Sequence, residues 1–138
     1  TRAGYLRGSQ FVFSQHCKSM RSVGFDDTCV EAIAGWQTAE CFSPIERAVL
    51  AYTDDLVLGG GRVSDATFAS LKASLSDEEI LELTYITCTY DIHGTMARAL
   101  RLEYDDVDER IVEIPSPEAG ASVDVMRGVD EAPEGGQG

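Results

Sequence analysis

Positive charge is scarce in this sequence of 138 residues, which carries 11 lysine and arginine residues against 24 aspartate and glutamate residues. Residues 1–102 hold 9 basic and 13 acidic side chains, whereas residues 103–138 hold 2 basic and 11 acidic ones. Nucleic acid binding needs clustered lysine and arginine to neutralise phosphates. Anionic membrane surfaces also attract basic segments. We therefore expect neither nucleic acid nor a membrane among the partners.

Long hydrophobic runs are missing as well. A membrane-spanning helix needs about 18 or more consecutive apolar residues, and the sequence contains no such run. No basic segment precedes an apolar one in the manner of a secretory signal. The sequence therefore predicts a cytoplasmic protein. Its first residue is Thr1 rather than methionine, so we expect a processed or truncated piece.

Metal-binding and redox motifs are also absent. The 4 cysteines are Cys17, Cys29, Cys41 and Cys88, and no two of them have the C-x-x-C spacing of a redox pair or a zinc ribbon. Reduced thiols are the expectation for such spacing in the cytoplasm, although sequence does not reveal which cysteines are neighbours in space. The 2 histidines do not form an H-x-x-H or H-x-x-x-H pattern. We expect no bound metal and no cofactor.

The apolar periodicity predicts an all-α protein with four or five helices and no strand. The expected helices are residues 8–23, a short one from Asp26 or Asp27 through Trp36, then residues 44–58, 65–75 and 77–104. Their limits follow from local signals, above all Ser43-Pro44-Ile45-Glu46 and Ser76-Asp77-Glu78-Glu79, which have the form of capping boxes. Three glycines at 59–61 predict a helix end. Gly94 within the last helix predicts a close approach of another helix, or a nearby ligand.

The domain organisation is predicted to be one helical-bundle domain, residues 1–106, followed by an acidic tail, residues 107–138. The helical pattern ends near Tyr104, and the end of the chain is rich in proline, glycine and acidic residues. Such composition is typical of a solvated, irregular segment.

Two short segments contain side chains that could carry chemistry. The first places His16 beside Cys17 on a predicted helix, where an imidazole suits proton transfer near neutral pH. The alternative is that both are ordinary, partly buried residues. The second segment places Tyr90, Asp91 and His93 within an otherwise apolar helix. Because burying such groups without partners is costly, they must be exposed, paired, or lining a pocket or subunit interface. The charge pairs Asp26-Asp27 and Asp54-Asp55 are expected on solvated faces.

Four segments, in order, resemble proteins of the carboxymuconolactone decarboxylase / alkyl hydroperoxidase D-like family. Residues 8–16 resemble a motif that reads roughly Cys-Gly-x-Glu-Tyr-Glu-Trp-x-x-His. Residues 42–54 are similar to the family's "sP.ERAvLayaDal" helix. Residues 63–68 together with 75–84 form the third similar segment. Residues 90–100 form the fourth, and they resemble a tyrosine-containing helix of the family that ends in small residues and an arginine. The resemblance covers about residues 2–106.

This resemblance implies an all-α fold, assembly into homo-oligomers such as trimers or hexamers, and sites near subunit interfaces. Members decarboxylate lactone acids or reduce peroxides through a Cys-x-x-Cys pair. They usually have one or two further helices before the equivalent of residues 1–6, so N-terminal helices are expected to be missing here.

The sequence departs from the family motif at three positions. Arg7 stands where many members have the first cysteine, Gln10 lies near the second motif position, and Val12 replaces a common glutamate. His16 remains. Three hypotheses follow. The first is a cofactor-independent lyase or isomerase that acts on a small carbonyl acid or lactone, using His16 with help from Tyr90 and His93. The second is a redox protein with Cys17 as a single peroxidatic thiol, and the third is a non-catalytic oligomeric homologue.

Overall fold

The computed structural model describes residues 1–102, and within this range every regular element is helical. The elements are α1 (Arg2–Leu6), α2 (Gln10–Ser22), α3 (Asp27–Ala32), a 3₁₀ helix (Ile33–Thr38), α4 (Pro44–Leu58), α5 (Asp65–Lys72) and α6 (Asp77–Ala99). The predicted all-α class is therefore confirmed. The expected tail, residues 107–138, and the domain boundary at 106 lie outside the described residues.

The helix starts agree with the capping signals. The hydroxyls of Ser43 and Ser76 each accept from the backbone N–H three residues later, and Glu46 and Glu79 return the contact. Both capping boxes are thus complete. Asp26 caps α3 by accepting from the backbone N–H of Cys29.

The first predicted helix, residues 8–23, corresponds to α2, but α1 was not predicted; Gly8 at φ 61 turns the chain between the two. Other predicted helices differ in part from the structure. The second changes from α to 3₁₀ after Ala32, and Gly35 inside the 3₁₀ segment has non-helical angles. The last ends at Ala99, followed by Arg101 at φ 56.

Two apolar clusters hold the helices together. One joins α2, α3, the 3₁₀ helix and α4, and it contains Phe13, Cys17, Cys29, Val30, Ile33, Trp36, Phe42 and Leu50. The other joins α4, α5 and α6 through Ala48, Tyr52, Leu71 and Ile80. The short helix α1 contacts α2, α4 and α6 and so lies between the two longest helices.

Gly94 allows α6 to approach the end of α1. A Cβ at this position would lie 3.1 Å from Cβ of Arg7. The close helix approach predicted from this glycine is confirmed. It brings α6 close enough for Arg7 to reach Asp91, and the two side chains form an ion pair.

The prediction for Asp54 was wrong. This residue was expected on a solvated face, but its carboxylate accepts from Nε and a terminal nitrogen of Arg2 at 2.6 and 3.0 Å. It also accepts from Nε1 of Trp36 at 3.0 Å. Arg2 is buried and donates to the carbonyls of Ile33 and Ala34 as well. A buried guanidinium needs such partners, and Asp54 supplies the charge.

No helix of the described part of the chain is both long enough and apolar enough to cross a membrane. The cytoplasmic location stays a prediction.

Candidate functional site

A cavity of about 240 Å³ lies between α2 and α6. Its walls are mostly apolar, with four polar side chains among them. The lining residues are Phe11, Val12, Gln15, His16, Tyr90, His93, Met96, Ala97, Leu100 and Leu102. Small-molecule sites commonly combine an apolar lining with a few convergent polar groups. This cavity is therefore the candidate site.

His16 reaches the cavity because of its position on α2. Phe13 and Cys17 point from the same helix into the apolar core and are 2% and 0% exposed. Val12 and His16, one helical turn apart, lie on the side that faces α6. Ser9 fixes the start of the helix by accepting from the N–H of Val12. The core face of α2 thus determines the direction of the imidazole.

Three aromatic rings meet across the cavity. The ring centroids of His16 and Tyr90 are 4.2 Å apart at an interplanar angle of 79°. Those of Tyr90 and His93 are 5.6 Å apart at 85°. Both contacts are edge-to-face, which is a favourable arrangement for aromatic rings. Of the sequence-predicted residues, the structure brings these three together.

The imidazole of His16 is held in its neutral form. Burial lowers the pKa of His16 from 6.5 to about 4, and the positive charges of the N-terminal amino group and of His93 act in the same direction. Desolvation disfavours the charged imidazolium, so the ring keeps a free lone pair at neutral pH. His16 can therefore accept a proton or a hydrogen bond from a bound molecule.

Cys17 lies elsewhere. Its side chain is fully buried in the apolar cluster and does not line the cavity. His16 and Cys17, although adjacent in sequence, thus lie on different faces of α2. Cys88 is exposed, and Cys29 and Cys41 lie near each other at the start of α3.

Asp91, the remaining polar residue of the second segment, is paired. Its carboxylate accepts from Arg7, which also donates to the carbonyl of Val57 at 3.2 Å. The hydrogen bond with Asp91 raises the pKa of Arg7. Arg7, at the position where the resemblance implies a cysteine, thus joins α1 to α4 and α6.

A second cavity of about 310 Å³ lies on the other side of Tyr90. Its lining is again largely apolar and includes Phe25, Phe42, Leu50 and Leu83. Glu46, Thr53 and Thr87 add polar groups that the sequence analysis did not single out. Thr87 could have been found, because it precedes Tyr90 by three residues and so shares its helix face.

Within residues 1–102, no group of three or more histidine, cysteine or acidic side chains is placed to hold a metal ion.

One of three comparisons with known proteins supports the fold. No protein-family profile matches the sequence, and no curated protein matches it. One crystal structure is similar: a protein of unknown function from Agrobacterium tumefaciens, provisionally named an antioxidant defence protein AhpD. The two share 24% sequence identity and superpose with a TM-score of 0.68, over 75% of this chain and 72% of that one. The alkyl hydroperoxidase D-like fold predicted from the sequence is thereby confirmed.

Proposed function

We propose that this protein is a cofactor-independent lyase or isomerase that acts on a small carbonyl compound bound between α2 and α6, with His16 as the proton-transfer group. The observation that carries the proposal is the neutral imidazole of His16 at the wall of an apolar cavity, next to Tyr90. A neutral imidazole can take a proton from the carbon adjacent to a carbonyl group.

The low pKa of His16 in the empty site does not prevent this step. Removing a proton from such a carbon creates an enolate, whose negative charge forms next to the new imidazolium. An opposite charge at close range favours the protonated ring and raises its pKa. The proton can then return to a different carbon, which completes an isomerisation, or remain while a leaving group departs.

Tyr90 and His93 would support the proton transfer by His16. The edge-on ring of Tyr90 restrains the orientation of the imidazole. His93 is exposed at the cavity and could exchange protons with solvent. His16 is thus the proposed acid/base group, Tyr90 a positioning residue and His93 an auxiliary proton donor.

The lining favours a neutral substrate such as a lactone over a carboxylate. No lysine or arginine is among the lining residues that belong to the described part of the chain. An unpaired carboxylate would lose its hydration there without a compensating cation. A small lactone or ketone could bury its apolar surface and still direct its carbonyl oxygen at the polar side chains.

Proton exchange in D₂O tests the proposal. The protein would be incubated with a panel of small lactones and unsaturated ketones, and deuterium uptake followed by NMR. His16→Gln should lower the exchange rate by roughly 10²–10⁴-fold, the usual contribution of a general base. His93→Gln should have a smaller effect, and Glu82→Gln, at an exposed position of α6 outside the cavity, is the control that should retain the rate. Exchange that is undiminished by His16→Gln, or no exchange with any compound, would favour a non-catalytic homologue.

The redox hypothesis for Cys17 is the weaker alternative. A peroxidatic thiol must be accessible, and Cys17 is 0% exposed in the apolar cluster. Because Cys17 is buried, we expect it to react slowly with a thiol reagent in the folded protein, at a rate limited by opening of the helices. Rapid modification of Cys17 together with consumption of hydroperoxide would reverse this ranking.

The proposal includes assembly into homo-oligomers. Four large apolar side chains form a stripe along the exposed side of α6, at spacings of about one or two turns: Leu81, Tyr85, Ile92 and Met96. Each is more than half exposed, and such a contiguous apolar face is a common sign of an interface. Met96 also lines the cavity beside His16, so a second copy packed on this stripe would help to close the site.

Light scattering at a series of concentrations tests the assembly. The unmodified protein should form a trimer or hexamer, and Tyr85→Glu should dissociate it because a carboxylate would be desolvated at the contact. The matched control is Glu82→Gln, an exposed position beside the stripe. A protein that stays monomeric at all concentrations contradicts this part of the proposal.

A further inference from the structure

Two cysteines that do not line the proposed catalytic cavity, Cys29 and Cys41, lie next to each other. Sγ of Cys29 donates to the backbone carbonyl oxygen of Cys41 at 3.5 Å. A carbonyl oxygen lies roughly 2.4 Å from its own Cα, so the Cys29 sulfur is within about 6 Å of the Cα of Cys41. The two thiols also interact directly, side chain to side chain, so a disulfide between them needs only a small movement from their present contact.

The two thiols differ in their surroundings. Cys29 is 6% exposed and belongs to the apolar cluster, whereas Cys41 is exposed. Burial raises the pKa of Cys29 to about 12, with further contributions from the neighbouring side chains of Cys41 and Asp26. Cys29 is therefore an unreactive thiol by itself, and a reagent in solution meets Cys41 first.

The backbone around Cys41 is held in place. Arg47 donates to the carbonyls of Trp36, Gln37 and Ala39 and so anchors the segment that leads to Cys41. Phe42, the next residue, is buried in the same cluster as Cys29. The proximity of the two cysteines is thus enforced from both sides of Cys41.

From this geometry we infer that Cys29 and Cys41 are a redox site that forms a reversible intramolecular disulfide. The oxidant is a low-molecular-weight disulfide. The thiolate of Cys41 attacks one sulfur of the reagent, forms a mixed disulfide and releases one small thiolate. The sulfur of Cys29 then attacks the Cys41 sulfur and displaces the second small thiolate.

Electrons and protons balance in this sequence. Two protein thiols are oxidised to one disulfide, and one small disulfide is reduced to two small thiols. The proton of Cys29 passes through the carboxylate of Asp26, which interacts with its thiol, to the departing thiolate. Loss of the Cys41 negative charge in the mixed disulfide makes the deprotonation of Cys29 easier than in the reduced protein.

The disulfide would join the first turn of α3 to the residue before Phe42, which lines the larger cavity on the far side of Tyr90. Oxidation would thereby restrain that wall, and reduction would release it. This role is independent of the proton chemistry proposed for His16.

Equilibration of the folded, full chain in buffers of oxidised and reduced glutathione tests the inference. The fragment between Arg21 and Arg47 contains both cysteines. After oxidation and alkylation of free thiols it should carry no alkyl group and weigh two hydrogens less than its unmodified dithiol form. Cleavage after Glu31 and Glu40 should then yield two peptides joined by a disulfide. Reduction should restore two alkylated cysteines.

Three results distinguish the site from non-specific oxidation. Cys88→Ser, which alters an exposed cysteine elsewhere, should leave the linked peptides unchanged. Cys29→Ser should stop the reaction at a mixed disulfide on Cys41. The disulfide fraction should not depend on protein concentration. Two results would overturn the inference. One is a stable mixed disulfide on Cys41 of the unaltered protein while Cys29 remains a free thiol that can be alkylated. The other is a disulfide that forms only between two chains.

Discussion

The imidazole of His16 and the ring of Tyr90 stand edge to face, with their centroids 4.2 Å apart, although one belongs to α2 and the other to α6. This contact joins the two helices that form the catalytic cavity proposed here. It also limits the water around His16, and burial of the ring is the main reason for its lowered pKa.

The titration of His16 should therefore be displaced from that of an ordinary histidine. In His93→Gln, which leaves one imidazole in the chain, the remaining NMR signal should titrate with a midpoint well below 6.5, but somewhat above the value of about 4 in the unaltered protein, because the charge of His93 is gone. His16→Gln provides the assignment. A midpoint near the ordinary value would show that the ring is solvated and would remove the main support for a neutral proton acceptor at this site.

The same shift has a consequence for stability. A histidine whose pKa is lower in the folded state stabilises the fold above its unfolded pKa and loses that contribution as the pH falls toward the folded value. For His16 this window runs from 6.5 down to about 4. Partial exposure reduces the effect to about 1–2 kcal/mol. Urea unfolding should show that His16→Gln flattens the pH dependence across this window.

Local signals in the sequence were enough to predict where the longer helices begin. Ser43 and Ser76 begin α4 and α6 because a capping hydroxyl and a glutamate three residues later act within one turn, independently of the remaining fold. The helix α1 was missed for the opposite reason. Its five residues are too few to form a stable helix alone, and contacts with α2, α4 and α6 hold it.

The site could be predicted only as a set of candidates. The polar run around Tyr90 signalled a paired or pocket-lining segment, but no local pattern states that its partner is His16 on α2. The separation of His16 from Cys17 was foreseeable from the angle of about 100° between successive helical residues. Which of the two faces the core depended on tertiary packing. The proximity of Cys29 and Cys41 had no sequence signal at all.

Removal of the Asp54 carboxylate should lower the stability of the fold. Asp54→Asn would leave Arg2, which is 8% exposed, without its charge partner and would weaken the contact with Trp36. Breaking a buried ion pair on one side leaves an uncompensated charge, and we expect a loss of about 2–4 kcal/mol of unfolding free energy in urea. Asp27→Asn is the control, because Asp27 pairs with Arg21 while 73% exposed, and it should cost about 0.5 kcal/mol or less.

A methyl group should not fit at Gly4. Its Cβ would lie 2.9 Å from Cγ1 of Val12 and 3.1 Å from the backbone nitrogen of Phe13, so α1 and α2 would have to separate. We expect Gly4→Ala to lower stability by about 1–3 kcal/mol, as for other overpacked cores. At Gly35 a Cβ would meet nothing within 4 Å. Equal effects of Gly4→Ala and Gly35→Ala on thermal unfolding would contradict this account of the α1–α2 contact.

Two buried serines of the same segment should respond differently to substitution by alanine. Ser9 is 2% exposed, and its hydroxyl caps α2 by accepting from the N–H of Val12. Ser9→Ala should therefore cost about 1 kcal/mol. Ser14 is 1% exposed, and no group of the described residues hydrogen-bonds its hydroxyl. Ser14→Ala removes a buried polar atom without removing a bond, so stability should stay constant or rise by up to about 1 kcal/mol. Chemical denaturation of both variants measures these free energies of unfolding. If Ser14→Ala lost as much stability as Ser9→Ala, the hydroxyl of Ser14 would have a stabilising partner.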